Sequence, residues 1–135
     1  MPLPLPALQA LQTHSLQTRI AVVGASNDPA KYGHIITQRL VRHGYTVLPV
    51  HPTEATIAGL PAFAQVGDIP GHVDIVNFVV PPGVGARVLE TLDPAQVTTV
   101  WFQPGSFDAS LVSAAEARFA HVVAGDCIMV VAGWA

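Results

Sequence analysis

The chain has 135 residues, of which 50% are hydrophobic and 11% are charged, and its formal net charge is −3. These values fit one well-buried globular domain and exclude a disordered chain. The six Lys and Arg residues are scattered and form no basic stripe, so we expect no nucleic-acid partner. Any anion site must therefore be built locally, from backbone N–H groups and one or two cations.

The single cysteine, Cys127, provides neither a disulfide framework nor a zinc site. A reducing, cytoplasmic compartment is therefore the simplest prediction. Pro2, Pro4 and Pro6 interrupt the apolar start of the chain, which also lacks a cationic leading segment and so makes a poor signal peptide. No stretch is long enough and apolar enough to span a bilayer, so we expect no membrane partner.

Residues 1–17 are predicted to form an amino-terminal tail and a short helix. Residues 1–6 are a loose proline segment, and the helix occupies residues 7–17. Its apolar face comprises Leu8, Leu11 and Leu16. Residues 18–135 are predicted to form the domain proper, because no repeat or linker divides them.

Five short apolar runs, separated by helical patterns, mark the strands of this domain. They occupy residues 19–23, 45–50, 73–80, 98–102 and 121–124. Helices are predicted over residues 31–43, with Ile36, Leu40 and Val41 inward, over residues 84–92, and after the capping residue Asp108. Residues 53–71 are predicted to be mostly loop, with one turn of helix over residues 63–66.

Strands that alternate with helices predict βαβ units, right-handed crossovers and a parallel sheet. The strands are continuous apolar runs, as expected when helices cover both faces of a sheet. We therefore predict an α/β fold with a single Rossmann-like, doubly wound, parallel five-stranded sheet of order 3-2-1-4-5. Ligands bind such a sheet outside the carboxyl ends of its strands, so the residues that follow each strand form the candidate site.

The turn after the first strand, Gly24-Ala25-Ser26, carries the sharpest functional signal. Gly24 allows a tight turn, and the N–H groups that follow it at the start of the next helix favour an anion. Lys31 and Tyr32 stand at that helix start. A cation there opposes the helix dipole, unless a phosphate lies between the cation and the end of the helix. The same residues also fit a plain tight turn beside a solvated lysine, and the loop alone does not separate the two interpretations.

The loop lacks the dinucleotide fingerprint, because the next glycine after Gly24 is Gly33. An NAD site also needs an acid at the end of the second strand, where the sequence has Val50, His51 and Pro52. This argues against NAD but leaves NADP open, because a ribose phosphate prefers neutral or cationic surroundings. A small NADP- or other nucleotide-dependent enzyme is the alternative hypothesis. It ranks second because no Arg or Lys stands near the end of that strand to bind such a phosphate.

Six short motifs fall in order at the strand ends between about residues 16 and 130. They are Ile20-Ala-Val-Val-Gly-Ala-Ser26 with Pro29, Lys31-Tyr-Gly33, Gly44-Tyr-x-Val-x-Pro-Val50 with Pro52, Pro81-Pro82, Val100-Trp-Phe-Gln103 and Asp126-Cys127-Ile128. With these motifs the chain resembles the stand-alone CoA-binding domain proteins, which are related to the CoA-binding domain of succinyl-CoA synthetase alpha subunits.

The resemblance implies that the chain binds coenzyme A or an acyl-CoA. It implies phosphate contacts from Gly24, Ala25, Ser26 and Lys31, an adenine nucleotide near Val50, His51 and Pro52, and a pantetheine path beside Pro81 and Pro82. The position at the helix start or at the strand ends adds Tyr32, Val80, Gln103 and Cys127 to the candidate set. His51 departs from the family, in which relatives often have Asn, although imidazole can still donate or accept a hydrogen bond.

We expect binding without catalysis, and no metal site. The synthetases use a phosphorylated histidine in a further domain, for which we expect no room in this chain, and none of the six histidines stands in a recognisable nucleophile or metal arrangement. His34 is predicted to lie near the phosphates. Cys127 either faces the CoA thiol, where a mixed disulfide can form, or is a small buried hydrophobe, the commoner case for a free cysteine.

Three further expectations concern the carboxyl-terminal part of the chain. Asp126 beside Cys127 is expected to raise the thiol pKa, because a negative charge disfavours the thiolate. Trp101 either packs beneath the end of the sheet or lines the ligand cleft. The apolar tail over residues 128–134, including Trp134, leaves a homo-oligomer or a protein partner open.

Overall fold

Apolar runs that alternate with helices build a layered α/β fold in the computed structural model, which describes residues 5–133. The helices and strands, in chain order, are α1 Leu5–Gln12, β1 Arg19–Val23, α2 Tyr32–Arg42, β2 Thr46–Val50, β3 Thr56–Ile57, β4 Leu60–Pro61, β5 Val73–Phe78, α3 Pro82–Thr91, β6 Val97–Phe102, α4 Ala109–Arg118, β7 His121–Ala124 and α5 Ile128–Val131. A short 3-10 turn occupies Val66–Asp68. Among the described helices, none combines the length and apolar character that a membrane crossing requires.

The predicted parallel sheet of five strands is confirmed, but its predicted strand order is wrong. The order is β2-β1-β5-β6-β7, which is 2-1-3-4-5 when only the five sheet strands are numbered. The Pro49 carbonyl accepts a hydrogen bond from the Phe63 N–H on the outer side of β2, so the Pro49 nitrogen, which carries no hydrogen, faces that side too. This arrangement suits an edge strand, and the third strand pairs with β1 instead.

Helices cover both faces of the sheet, as the continuous apolar strands predict. In β1, Ile20 and Val22 face a core that they share with α1, α2 and α5, whereas Ala21 and Val23 face a core shared with α3 and α4. All four side chains are buried, because successive residues of a strand point to opposite faces. Trp101 packs within the first of these cores and is fully buried.

Helix α1 begins and ends earlier than predicted. It starts at Leu5 because Pro6 is tolerated in a first helical turn, where its missing N–H would have no helical partner. It ends before His14, whose φ of 47° lies in the left-handed region. Leu16 therefore lies beyond the helix and is 71% exposed, so its predicted place on the apolar face is wrong. Residues 1–4 of the predicted proline segment lie outside the described residues.

The segment predicted to be mostly loop, residues 53–71, contains a small hairpin of β3 and β4. Ala58 and Gly59 form its turn with φ values of 52° and 79°, as a two-residue hairpin turn requires. The helical turn at Val66–Asp68 lies three residues later than predicted. These strands escaped the sequence analysis because each has only two residues, too few to show a period.

The remaining boundaries fall within about two residues of those predicted, and the last strand, β7, matches its prediction. Gly44 ends α2 with a φ of 95°, as expected of a helix stop. Val41 was predicted to face inward but is 43% exposed. Trp134 lies outside the described residues, and the division of the chain at residue 18 stays a prediction.

Candidate functional site

The switch in strand order lies between β1 and β5, because the chain runs outward from these two strands in opposite directions. The loop over residues 24–31 and the turn over residues 79–81 therefore meet at the carboxyl edge of the sheet. Gly24 has a φ of 98°, and a Cβ at this position would overlap the Val79 carbonyl oxygen. Only glycine fits here, because the Val79 carbonyl group and the Val80 side chain fill the space beside it.

Gly33 brings α2 against the same loop. A Cβ at Gly33 would overlap the Gly24 carbonyl oxygen and lie 3.3 Å from the Cα of Ala25. In the dinucleotide fingerprint the third glycine permits close packing of helix on strand, and Gly33 meets the same need at a different spacing. This role of Gly33 was not predicted, because its distance along the chain from Gly24 differs from the fingerprint spacing.

Several backbone N–H groups around the loop donate to no other residue between positions 5 and 133. They include those of Ala25, Ser26, Asn27 and Tyr32. The N–H of Asp28, in contrast, donates to Ser26 Oγ at 3.0 Å. Unpaired N–H groups at the start of a helix form a ready anion site, because the helix dipole adds positive potential there.

Two side chains hold the loop in place. His34 is 8% exposed, and its Nδ1 donates to the Ser26 carbonyl oxygen at 2.7 Å, because a carbonyl can only accept. Asn27 joins the loop to the β3–β4 hairpin: its Nδ2 donates to the Thr56 carbonyl at 2.8 Å, and its Oδ1 accepts from the Ala58 N–H at 3.2 Å. His34 therefore lies beneath the loop and supports it. Neither contact was predicted from the sequence.

Lys31 stands where its charge can reach an anion on the loop. It precedes the first residue of α2 with extended backbone (φ −83°, ψ 141°), and its side chain makes no capping hydrogen bond. It is exposed and forms no ion pair within the described part of the chain. The neighbouring Tyr32 is 41% exposed at the start of the helix.

The end of β2 presents one free donor. His51 Nδ1 accepts hydrogen bonds from the N–H groups of Thr53 and Glu54, both at 3.1 Å. In the neutral ring the proton therefore lies on Nε2, which remains available to a ligand. Val50 is buried and Pro52 is exposed, so the three residues predicted near the nucleotide differ in access to solvent.

A cavity of about 230 Å³ opens beside the end of β2 and continues along α3. The residues lining it include Val50, Gln65, Val66, Val84, Arg87 and Val88. Val84, Arg87 and Val88 share one face of α3 because they are three and four positions apart. Arg87 was not predicted to lie here, because it is far along the chain from the second strand.

The turn after β5 leads directly into α3. Pro81 precedes the helix and Pro82 is its first residue, a favoured position for proline. Val80 is partly buried beside Gly24. Pro82 also borders a separate cavity of about 240 Å³ between α3 and α4.

Cys127, Gln103 and Tyr32 meet at the carboxyl ends of β6 and β7. The Tyr32 hydroxyl lies 3.1 Å from Cys127 Sγ, and Gln103 Nε2 donates to the same sulfur at 3.4 Å. Gln103 is 1% exposed, and its Oε1 accepts the Ile128 N–H at 2.8 Å, which fixes the orientation of the amide. The cysteine is partly exposed, so it is not the fully buried hydrophobe that the sequence favoured.

The surroundings of Cys127 favour its thiolate. Burial would raise the pKa of the thiol, but hydrogen bonds from Tyr32, Gln103 and the backbone of Met129 and Val130 outweigh it and lower the pKa. The prediction of a raised thiol pKa is therefore wrong. Burial, together with the contact to Cys127, raises the pKa of Tyr32 to about 12, so the phenol keeps its proton and can donate to the sulfur.

The backbone of Asp126 is held by a buried side chain. The Trp101 indole N–H donates to the Asp126 carbonyl oxygen at 2.8 Å, which ties the turn after β7 to the buried face of β6. This contact confirms that Trp101 packs beneath the end of the sheet. Tyr32 then links the two halves of the candidate site, because it starts α2 beside the loop over residues 24–31 and also touches Cys127.

A family model described as a CoA binding domain matches residues 18–133. The chain belongs to the CoA-binding domain family. This family member is 32% identical over 116 residues to YneT, an uncharacterized protein of Bacillus subtilis, and the match covers 83% of each protein. It is 44% identical over 63 residues to the alpha subunit of an ADP-forming acetate–CoA ligase (form II) of Pyrococcus furiosus, covering 46% of this chain and 14% of that subunit. The chain thus spans a small part of that ligase subunit.

Solved structures share the fold of this CoA-binding domain. A conserved hypothetical protein from Pyrococcus furiosus has a TM-score of 0.78 and 42% identity, with 83% of this chain and 97% of that chain covered. A hypothetical protein from Pyrococcus horikoshii has a TM-score of 0.82 and 26% identity, with 97% and 94% covered. The resemblance to stand-alone CoA-binding domain proteins, and the Rossmann-like fold that it implies, are confirmed.

Proposed function

We propose that this chain binds coenzyme A or an acyl-CoA with the diphosphate of the ligand on the loop over residues 24–31. The observation that carries the proposal is the row of unpaired N–H groups of Ala25, Ser26 and Asn27 in the loop that leads into α2. The Ser26 hydroxyl and the Lys31 ammonium group add further donors. Membership of the CoA-binding domain family supports CoA as the nucleotide.

The rest of the ligand would follow the carboxyl edge of the sheet in both directions from this loop. In one direction the adenine nucleotide would reach the end of β2, where His51 Nε2–H is a free donor. In the other direction the pantetheine arm would pass Val80 and Pro81 towards Gln103 and Cys127. These residues follow β5, β6 and β7, whose carboxyl ends share this edge.

The proposed function is binding without catalysis by this chain. Its support is the set of partners around Cys127: a phenol, an amide and two backbone N–H groups. Thiol enzymes activate their nucleophile with an adjacent base such as imidazole. Tyr32 holds its proton too tightly to take that part, because its pKa is about 12.

A ligand panel tests the proposal directly. We expect CoA or acetyl-CoA, but not NAD, NADP or ATP, to raise the melting temperature of the purified protein. A ligand at a hundred times its Kd stabilises the folded state by about 2.7 kcal/mol, enough to resolve the members of the panel. Native mass spectrometry of the purified protein would show any retained CoA. Stabilisation by NAD or NADP without any by CoA would overturn the proposal.

Variants of α2 locate the phosphates within the same experiment. Lys31→Gln should weaken CoA binding roughly tenfold, because it removes one charge-assisted hydrogen bond at the proposed diphosphate. Arg42→Gln is the matched control, since Arg42 is exposed at the opposite end of the same helix and should bind CoA as the wild type does. Equal losses in both variants would place the ligand elsewhere.

A further inference from the structure

The cavity beside β2 combines apolar walls with a single cation. Its apolar lining includes Val50, Val66, Val84 and Val88, and Gln65 and Arg87 add polar groups. Val84 is 36% exposed although it borders the cavity, so the cavity leaves apolar surface uncovered. Within the described part of the chain, Arg87 has no hydrogen-bond or ion-pair partner.

This lining matches the adenosine end of a nucleotide. An aromatic base gains from contact with apolar walls, and the Gln65 amide can both donate to and accept from its edge. The unpaired guanidinium of Arg87 suits a phosphate, because its planar fork can bind two oxygens at once. A ribose without a phosphate would offer no negative charge to the Arg87 guanidinium.

The cavity lies within reach of a nucleotide on the loop over residues 24–31. Val50 ends β2 and pairs in register with Val23, the residue that precedes Gly24. Neighbouring strands are only about 4.8 Å apart, so the two positions are one strand spacing from each other. A nucleotide with its diphosphate on this loop can therefore extend its adenosine across the end of β2 into the cavity.

We propose that the cavity receives the adenine ring and that Arg87 binds the phosphate on the adjoining ribose. The inference rests on the proposed function and adds its specificity: Arg87 favours CoA over the same nucleotide without its ribose phosphate. CoA has this phosphate at the 3′ position and NADP has one at the 2′ position. CoA and NADP therefore both offer a ribose phosphate to Arg87, and titration with each ligand shows which of them the chain binds.

Calorimetric titration of the full chain with CoA, 3′-dephospho-CoA and NADP tests the inference. Wild type should bind CoA about tenfold more tightly than dephospho-CoA, the ratio expected from one charge-assisted contact. Arg87→Gln should bring that ratio close to one and leave the affinity for dephospho-CoA unchanged. Arg42→Gln, which removes an exposed charge outside the residues lining the cavity, should keep the tenfold ratio. Melting temperatures would verify that both surface variants fold.

The outcomes separate this inference from the proposed function. If wild type binds CoA and dephospho-CoA equally, or if Arg87→Gln weakens both equally, the inference fails and CoA binding stands. If wild type binds NADP but neither CoA compound, and Arg87→Gln abolishes NADP binding, the proposed function fails and the ribose-phosphate site stands. Binding of none of the three ligands would overturn both.

Discussion

At the scale of single residues, Cys127 depends on partners from distant parts of the chain. Its contact with Tyr32 spans 95 positions of sequence. The positions of Gln103 and Cys127 after their strands predict that both lie at the same edge of the sheet, but these positions do not indicate which side chains touch. The sequence neighbour Asp126 was therefore given an influence on the thiol that the hydrogen bonds from Tyr32 and Gln103 override.

Removal of the Tyr32 hydroxyl should raise the pKa of the Cys127 thiol, because the thiolate loses a donor. The measurement is the pH dependence of alkylation by iodoacetamide, which reports on Cys127 alone since the chain has one cysteine. The wild-type midpoint should lie below that of an ordinary cysteine, and Tyr32→Phe should move it upward. Tyr45→Phe is the control, because the Tyr45 hydroxyl donates to the Leu11 carbonyl. An unchanged midpoint in Tyr32→Phe would contradict the assignment.

At the scale of elements, the five strands of the parallel sheet could be predicted but their order could not. Apolar runs of four to six residues identify β1, β2, β5, β6 and β7 because both faces of each strand are covered. The order depends on which strand edges can accept a neighbour, and the readable signal was Pro49 within β2. The cavity along α3 was beyond prediction, since it forms between segments whose relative placement follows from that order.

Gly33→Ala tests the contact between α2 and the loop after β1. The added Cβ overlaps the Gly24 carbonyl oxygen, and neither backbone can yield without moving the helix. We expect a loss of about 1–3 kcal/mol in the free energy of unfolding, the usual cost of overpacking. CoA binding should weaken as well, measured by calorimetry beside urea unfolding. Gly67→Ala is the matched control, because a Cβ there meets no atom within 4 Å; equal effects of both variants would refute the packing argument.

At the scale of the whole molecule, the alternation of strands with helices and the family resemblance predicted the α/β class, whereas the integration of the amino-terminal helix came only from the structure. Ala7 and Leu11 of α1 are buried in the core shared with α2 and α5. The Tyr45 hydroxyl donates to the Leu11 carbonyl oxygen, so α1 is bonded to the start of β2 as well as packed on the sheet. The sequence predicted a helix here but placed its apolar face partly on Leu16, which is exposed.

Tyr45→Phe should lower the free energy of unfolding at pH 7 by about 1 kcal/mol, because the Leu11 carbonyl loses its donor. Burial raises the pKa of Tyr45 to about 12, so the folded state holds this proton more tightly than the unfolded state does. The associated stability is complete below pH 10 and is lost as the pH rises towards 12. Urea unfolding at pH 7 and pH 11 should therefore show a smaller alkaline loss in Tyr45→Phe than in wild type. Parallel losses in the two proteins would contradict this account.

The two amide hydrogen bonds of Asn27 make the β3–β4 hairpin a partner of the glycine turn. One side chain connects two segments about 30 positions apart, so the hairpin cannot move away from the backbone that precedes α2 without breaking these hydrogen bonds. A change at the outer rim of the sheet, such as a lengthened hairpin tip or a protease cut there, would therefore affect the loop that we propose as the diphosphate site. The hairpin thus supports the loop over residues 24–31, although none of its own atoms needs to touch the ligand.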